Sequence, residues 1–313
     1  MIQKIFYSNC NNFAHTYSIV ARDPQTEELG VGVQSHWFSV GNVVSWGEAG
    51  IGVVATQSLV NKSFGLRGLD LLKKGKTPKE AIDILLSDDE GREVRQVSIL
   101  DTQGRIATHT GIKCIKEAGH IIGKNFSVQA NMMISDQVWS AMAEAFEKNQ
   151  DLSLPEKIVK CLEAAENAGG DIRGKQSAAL LIVAGKTPEN KWEDPTMDLR
   201  VEDHKEPLKE IKRLVKVWRA YEHMNNGDLA IEKGDMRKAL NEYNAAMNKF
   251  PENLEMKYWT AISLANNEKI DESLVLFKEI FKKDRNWYLL TERLPEAELL
   301  NVKANDLKKI LSL

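Results

Sequence analysis

Up to about residue 185 the apolar positions come as short alternations and short solid runs; beyond about residue 205 they recur every three or four residues. Thr16-Tyr17-Ser18-Ile19-Val20-Ala21 alternates and is rich in β-formers, which predicts a strand. Asp23-Pro24-Gln25-Thr26 is a turn and 29–34 the returning strand. Residues 43–46 and 51–56 predict two more strands. Helical spacing then covers 65–74 and 77–86. Thr77-Pro78-Lys79-Glu80 opens the second helix with a capping box and a proline at the first helical position. Residues 94–101 and 105–110 predict a hairpin around Asp101-Thr102-Gln103-Gly104, and 126–130 a short strand. Helices over 135–148 and 154–168 and a buried strand over 176–183 complete this part.

Strands, two helices, more strands, two more helices and a final strand suit antiparallel sheets covered by helices rather than a regularly alternating parallel sheet. No G-x-G-x-x-G follows a strand and no Walker-type G-x-x-x-x-G-K-S/T occurs, which argues against dinucleotide and P-loop sites. Eighteen of the 20 glycines lie before residue 186. Strands and tight turns use glycine and helices avoid it, so the remainder is expected to be nearly all α, with the boundary at 204–215. Gly227, Ala239, Tyr243, Ala246 and Pro251 occupy the small, aromatic and proline positions of a tetratricopeptide (TPR) repeat, and a shift of 34 residues gives Ala261, Ser273, Phe277, Ile280 and Arg285. Two TPR-like repeats are expected, over 220–253 and 254–287, with a cap to residue 313. Two repeats bury little core, so they should lean on the first domain or on a second subunit, and a homo-oligomer is expected.

The 313 residues suffice for about two domains, and 42% hydrophobic and 28% charged residues are ordinary for a globular chain. A formal charge of -3 gives no bulk attraction to nucleic acid or anionic membranes, and no apolar run approaches the ~20 residues of a membrane helix. Neither partner is expected. Cys10, Cys114 and Cys161 form no disulfide framework or close zinc pattern, which suits a reducing, cytoplasmic setting. Residues 1–15 read as a short disordered leader or a processed segment, too polar for a secretory signal; an upstream start encoding one would imply export.

The six histidines are scattered, without an H-E-x-x-H pair. Asp198, Asp203 and His204 with Asp171 are the best divalent-ion set, but carboxylates near a linker are more often solvated or capping groups, so no metal and no cofactor is expected. Cys114, before Ala118-Gly119-His120, is a possible thiol nucleophile, though an isolated cysteine is usually a small core residue. No G-x-S-x-G elbow occurs, and Ser35 and His36, adjacent on a strand, should face opposite ways. Thr16 is different. A threonine at a chain terminus carries its own base, because its hydroxyl attacks a carbonyl while its α-amine, titrating near ~7.7–8.0, takes the proton. An internal Thr16 has an amide there instead, so this chemistry needs residues 1–15 removed.

The run 16–23 followed by Gly30-Val31-Gly32-Val33-Gln34-Ser35 resembles the opening of domain of unknown function 1028. Further matches are Trp46, Glu48-Ala49-Gly50-Ile51-Gly52, Ala55-Thr56-Gln57, Asn61, Gln96-Val97, His109-Thr110-Gly111, Cys114, Ala118-Gly119-His120 and Val128-Gln129. Gly169-Gly170-Asp171, Arg173-Gly174, Gln176-Ser177-Ala178 and Asp198-Leu199-Arg200-Val201 close the set, which spans 16–215. That family is similar in fold to N-terminal-nucleophile (Ntn) hydrolases. The resemblance implies an α+β, four-layer αββα sandwich over 16–210, followed by the all-α domain of 211–313. It also implies Thr16 as nucleophile, with an oxyanion hole from the backbone N–H near Gln57 and the side chain of Asn61. Gln34 stands where proteasome-type members carry an aspartate, and no lysine lies between Lys4 and Lys62, which argues against peptidase activity. Gln34, His36, His120 and Asp171 are the candidates for substrate binding. The expected activity is hydrolysis of a small amide or peptide-like substrate. The alternatives are an inactive scaffold whose repeats bind a protein or peptide partner, and a Cys114 enzyme.

Overall fold

A computed structural model describes residues 13–313 of the chain, and the division between two compact units falls after Arg213. The first unit opens with β1 (Phe13–Ala14), β2 (Thr16–Arg22), β3 (Leu29–Ser35), α1 (Gly41–Val44), β4 (Ser45–Glu48) and β5 (Gly52–Leu59). Helices α2 (Ser63–Lys73) and α3 (Pro78–Ser87) come next, then β6 (Arg95–Asp101), β7 (Ile106–Thr110), β8 (Gly119–Gly123) and β9 (Phe126–Ala130). Helices α4 (Gln137–Lys148) and α5 (Leu154–Asn167) and strands β10 (Ser177–Val183) and β11 (Met197–Val201) complete it.

The strands form two antiparallel sheets. One is ordered β1-β5-β6-β7 with β4 also on β5; the other is β11-β10-β3-β2-β9-β8. Strand alternation gives each sheet an inner face and an outer face. Val20, Val31 and Val33 of the second sheet meet Val53, Ala55 and Leu100 of the first in one apolar cluster, so the two sheets stack face to face. The outer side chains Val54, Val97 and Ile99 are covered by Phe64 and Leu69 of α2 and Ala81, Ile82 and Leu85 of α3. On the other side α5 lies against β2 and β3, and α4 packs by Phe146 on Phe126, with ring centroids 4.4 Å apart. The arrangement is a helix pair, two sheets and a second helix pair.

Local chemistry explains these elements. The Thr77 side chain accepts from the Glu80 N–H while the Glu80 carboxylate accepts from the Thr77 N–H, the reciprocal cap expected from the sequence. Gly32 leaves room for α5, since a Cβ there would lie 2.2 Å from Ile158 Cγ2. Three strands escape sequence pattern. β1 is only two residues long, β8 is a half-exposed edge strand with glycine at each end, and β11 is an edge strand with polar outward residues. Residues 43–46 are not one strand: α1 ends at Val44 and β4 begins at Ser45. The Val43 and Val44 amides both donate to the Val40 carbonyl, a single turn too short to show a helical period.

The division falls within α6 (Pro207–Glu232), and α7 (Met236–Lys249), α8 (Leu254–Asn266), α9 (Ile270–Lys283), α10 (Asn286–Arg293) and α11 (Ala304–Leu311) follow. The Tyr243 ring sits on Gly227, where a Cβ would come within 2.6 Å of it, and its hydroxyl donates to Asp228 Oδ1 at 2.5 Å. Ala220, Ala239 and Ala246 surround it. Ala261, Phe277 and Ile280 are buried in the next cluster with Tyr258. Among the described residues no helix is long and apolar enough to cross a membrane.

If Gly32 is what lets α5 seat on the sheet, Gly32→Ala should cost about 1–3 kcal/mol through overpacking, read as a lower urea midpoint at unchanged slope. An unchanged midpoint would mean that Ile158 simply moves aside.

Candidate functional site

Inner-face alternation places Thr16, Ser18 and Val20 of β2 between the sheets, with Gln57 of β5 and Gln96 and Ser98 of β6 opposite. Ser18 is paired with Gln129 across β2–β9, and Gln57 with Gln96 across β5–β6. These four fully buried side chains interlock. Ser18 Oγ donates to Gln57 Oε1 at 2.5 Å, Gln57 Nε2 to Gln96 Oε1 at 2.7 Å, and Gln129 Nε2 to Ser18 Oγ at 2.6 Å. Gln96 Nε2 reaches the Ala130 carbonyl at 2.9 Å and Thr110 Oγ1 at 2.9 Å. Asn131 Nδ2 donates to Gln96 Oε1 at 2.9 Å. Ser127, Thr108 and Ser98 extend the seam through contacts of 2.7 and 2.8 Å. One part of the sandwich interior is therefore apolar and another is a bonded polar seam.

Thr16 stands in this seam, fully buried. Its carbonyl accepts from the Asn131 backbone N–H at 3.1 Å and from Gln57 Nε2 at 3.2 Å. Its hydroxyl, by contrast, has no hydrogen-bond partner among the described residues. The residue before it is equally fixed. The carbonyl of His15 accepts from Ser35 Oγ at 2.5 Å and from Arg173 Nη2 at 2.8 Å. Asp171, whose side chain is fully buried, holds that guanidinium through contacts of 3.0 Å from Nε and 2.7 Å from Nη2. The His15 ring meets Asn131 Oδ1 at 2.8 Å, and Phe13 and Ala14 pair with Leu59 and Ser58. The expected leader is described only from residue 13, and its last three residues are built into the sandwich rather than loose.

The other expected site residues are distributed unevenly. Gln57 lies beside Thr16, but through its side chain. Asp171 is in the site through Arg173, and its Oδ2 also accepts from the His36 backbone N–H at 3.2 Å. The His36 residue itself is exposed. His120 reaches the seam's edge, with Nδ1 2.8 Å from Thr110 Oγ1. Gln34 does not join Thr16: it pairs with Tyr17 in β2–β3, on the outer, helix-covered face. Asn61 is occupied at the start of α2, where its Oδ1 accepts from the Ser63 N–H at 3.1 Å and from Ser63 Oγ at 2.7 Å. Arg173, Ser35, Asn131, His15, Gln96, Gln129 and Ser18 were not among the expected site residues. For Ser18, Ser35, Gln96 and Gln129 the signal in the sequence is a polar residue at an inward position of a strand whose other inward residues include apolar ones, whereas His15, Asn131 and Arg173 lie outside the strands and carry no such signal.

The competing chemistries fare less well. Burial raises the Cys114 thiol above its ordinary value and pushes Cys161 up to about 12, so neither is primed as a thiolate. Cys10 lies outside the described residues. Asp198 pairs with Arg200, Asp203 accepts from Gln176, and the His204 ring accepts from the Glu206 N–H. Among the described residues no three His, Cys, Asp or Glu side chains gather to hold a metal ion.

Burial lowers the proton affinity of both His15 and His120, with the Arg173 charge adding to the effect at His15 and His109 at His120. Each binds its proton more readily unfolded. Above the ordinary histidine pKa of about 6.5 neither changes stability; below it stability is lost, until the lowered folded-state value is passed. The unfolding free energy should therefore fall as the pH drops from about 6.5, and the slope should flatten in a His15→Asn, His120→Gln variant. An equal slope in that variant would put the acid sensitivity elsewhere.

No curated protein matches the chain. The crystal structure of a protein from Silicibacter pomeroyi assigned to DUF1028 aligns with a TM-score of 0.59 and 29% identity, over 65% of this chain and 85% of that one. The model of the family of unknown function DUF1028 matches residues 16–211, more than half of the chain, and the chain belongs to that family.

Proposed function

We propose that the protein is an N-terminal-nucleophile amidohydrolase of the αββα type, in which Thr16 acts on a small amide or peptide-like substrate once the chain before it has been released. The observation that carries this reading is the pair of atoms on either side of one peptide bond. A buried threonine hydroxyl with no partner follows a carbonyl that is polarised by two donors, one of them charged. A hydroxyl left unbonded in a packed interior is costly, and a purely structural position would be filled as well by valine.

The same geometry accounts for release. Thr16 Oγ attacks the His15 carbonyl carbon, and Ser35 and Arg173 stabilise the negative charge that develops on the oxygen. The C–N bond then breaks, the hydroxyl proton passes to the Thr16 nitrogen, and an ester joins His15 to the threonine oxygen. Water hydrolyses that ester, leaving a His15 carboxylate and a free Thr16 amine. An external amide carbonyl then takes the place of the His15 carbonyl, facing the same two donors. Arg173 and Ser35 thus take the oxyanion role first expected of Asn61. The amine serves as the base, while Gln57 and Asn131 hold the Thr16 backbone in place. Asp171 keeps Arg173 oriented.

For the helical region we propose TPR-like repeats. The aromatic on the small residue, Tyr243 on Gly227, has its counterpart 34 residues on in Phe277 and Ala261, which share one cluster.

Purified chain should lose mass corresponding to cleavage before Thr16, and Thr16→Ala should stay uncut. Arg173→Met should slow the cleavage by about 10²–10³-fold, the usual effect of losing one oxyanion donor. Amide hydrolysis by the cut form should rise through pH ~7.7–8.0 as the amine loses its proton. Cleavage of Thr16→Ala at the wild-type rate would assign release to another protease, and a cut form inert toward amides would remove the hydrolase reading.

A further inference from the structure

A second feature lies on the outer face of the same sheet, turned away from Thr16. Gln34 is fully buried, yet among the described residues neither its Oε1 nor its Nε2 has a partner in hydrogen-bonding geometry. The Tyr17 hydroxyl donates to Glu166 Oε2 at 2.8 Å, and the nearby Gln34 amide influences its oxygen without forming a bond of proper geometry. Gln34 lies at the floor of a cleft of about 490 Å³ lined also by Glu163, Glu166, Lys175 and Glu206. That volume lies within the ~300–1,000 Å³ usual for small-molecule sites.

The lining fixes the chemistry of an occupant. A carboxamide with its donor and its acceptor both unpaired is complementary to another amide, which offers the same pair reversed. Glu166 is the least neutralised carboxylate of the rim. Lys175 stands 3.7 Å from it and gives its close contact, 2.9 Å, to Glu206; Glu163 already has Lys160 and Lys212 at 3.0 and 2.8 Å. Glu166 can therefore take a cation, and Lys175, raised in proton affinity by Glu206 and Glu166, stays charged to face an anion. A ligand with both charges leaves the balance of the rim unchanged.

We propose that this cleft binds a small zwitterionic peptide of dipeptide size, its peptide group on Gln34, its ammonium on Glu166 and its carboxylate on Lys175. The site is independent of the hydrolase reading, because the sheet separates it from Thr16. A bound peptide there would report on the products or supply of amide cleavage without entering the seam.

Calorimetric titration of the full Thr16→Ala chain with alanylalanine tests this, with no turnover to consume the probe. Saturable binding at millimolar affinity or better is expected. N-acetyl-alanylalanine and alanylalanine amide should each bind about tenfold more weakly or worse, and Gln34→Leu should lose binding while melting no lower than its parent. Absence of saturable binding would overturn the proposal. So would binding that survives Gln34→Leu, or equal binding of the blocked peptides. A lower melting temperature for Gln34→Leu would also overturn it, because the amide would then have a structural partner.

Discussion

The closure of the inter-sheet amide network is the constraint on which the rest of the first unit depends. Four side chains, Ser18, Gln57, Gln96 and Gln129, are wholly excluded from water. Each must find partners among the others and among the backbone carbonyls of Thr16, Gln129 and Ala130. Apolar residues in those positions would have stacked the sheets with many registers nearly equal in energy. Amides tolerate only the register in which their donors and acceptors meet, since a buried polar group left over costs about 1–3 kcal/mol. The valine and alanine part of the interior holds the sheets together; the amide part fixes how they are aligned.

That alignment sets the geometry on which the proposed chemistry rests. Gln57 belongs to one sheet and Thr16 to the other, and the contact between them sets where the Thr16 backbone lies. Asn131 adds a second hold from the end of β9, bonding the His15 ring, the Thr16 carbonyl and Gln96 at once. The result is a peptide bond pinned on both sides. In such a frame Arg173 already meets the His15 carbonyl, where the proposed reaction would develop an oxyanion, and its own position is set by a carboxylate with no exposure to solvent. Preorganisation of this kind is inherited from the stacking of the sheets rather than added by a flexible loop.

Much of the fold was legible because its elements are long and their periods clean. β2, β3, β10 and the four covering helices follow from alternation, capping and helical spacing. β1, β8 and β11 were not, because a two-residue strand has no period and an edge strand half in water has no apolar alternation to read. Of the residues that the proposed site draws on, Thr16, Gln57 and Asp171 stood among the expectations from the residues or the resemblance. Asn61 is bonded instead to the first turn of α2, as an asparagine just before a helix is by default. Gln34 lies one step of strand parity from Ser35, the partner of Thr16, and so faces the other side of the sheet.

Arg173 shows most clearly why a site of this kind resists reading from the chain alone. Its two partners are Asp171, two residues away, and the carbonyl of His15, which is 158 residues away. Only the first is visible as a motif, and Asp-x-Arg by itself describes an exposed ion pair as well as an oriented one. What distinguishes them is burial of the carboxylate. An exposed pair contributes little and wanders, whereas an Asp171 cut off from water must keep its guanidinium, and the guanidinium then has a free edge to direct at a carbonyl. Burial of Asp171 depends on the β-bridge between Met133 and Asp171 and on the His36 amide at the end of β3. The direction of a single N–H toward the His15–Thr16 bond is thus decided by three separate stretches of chain brought together by the sheet.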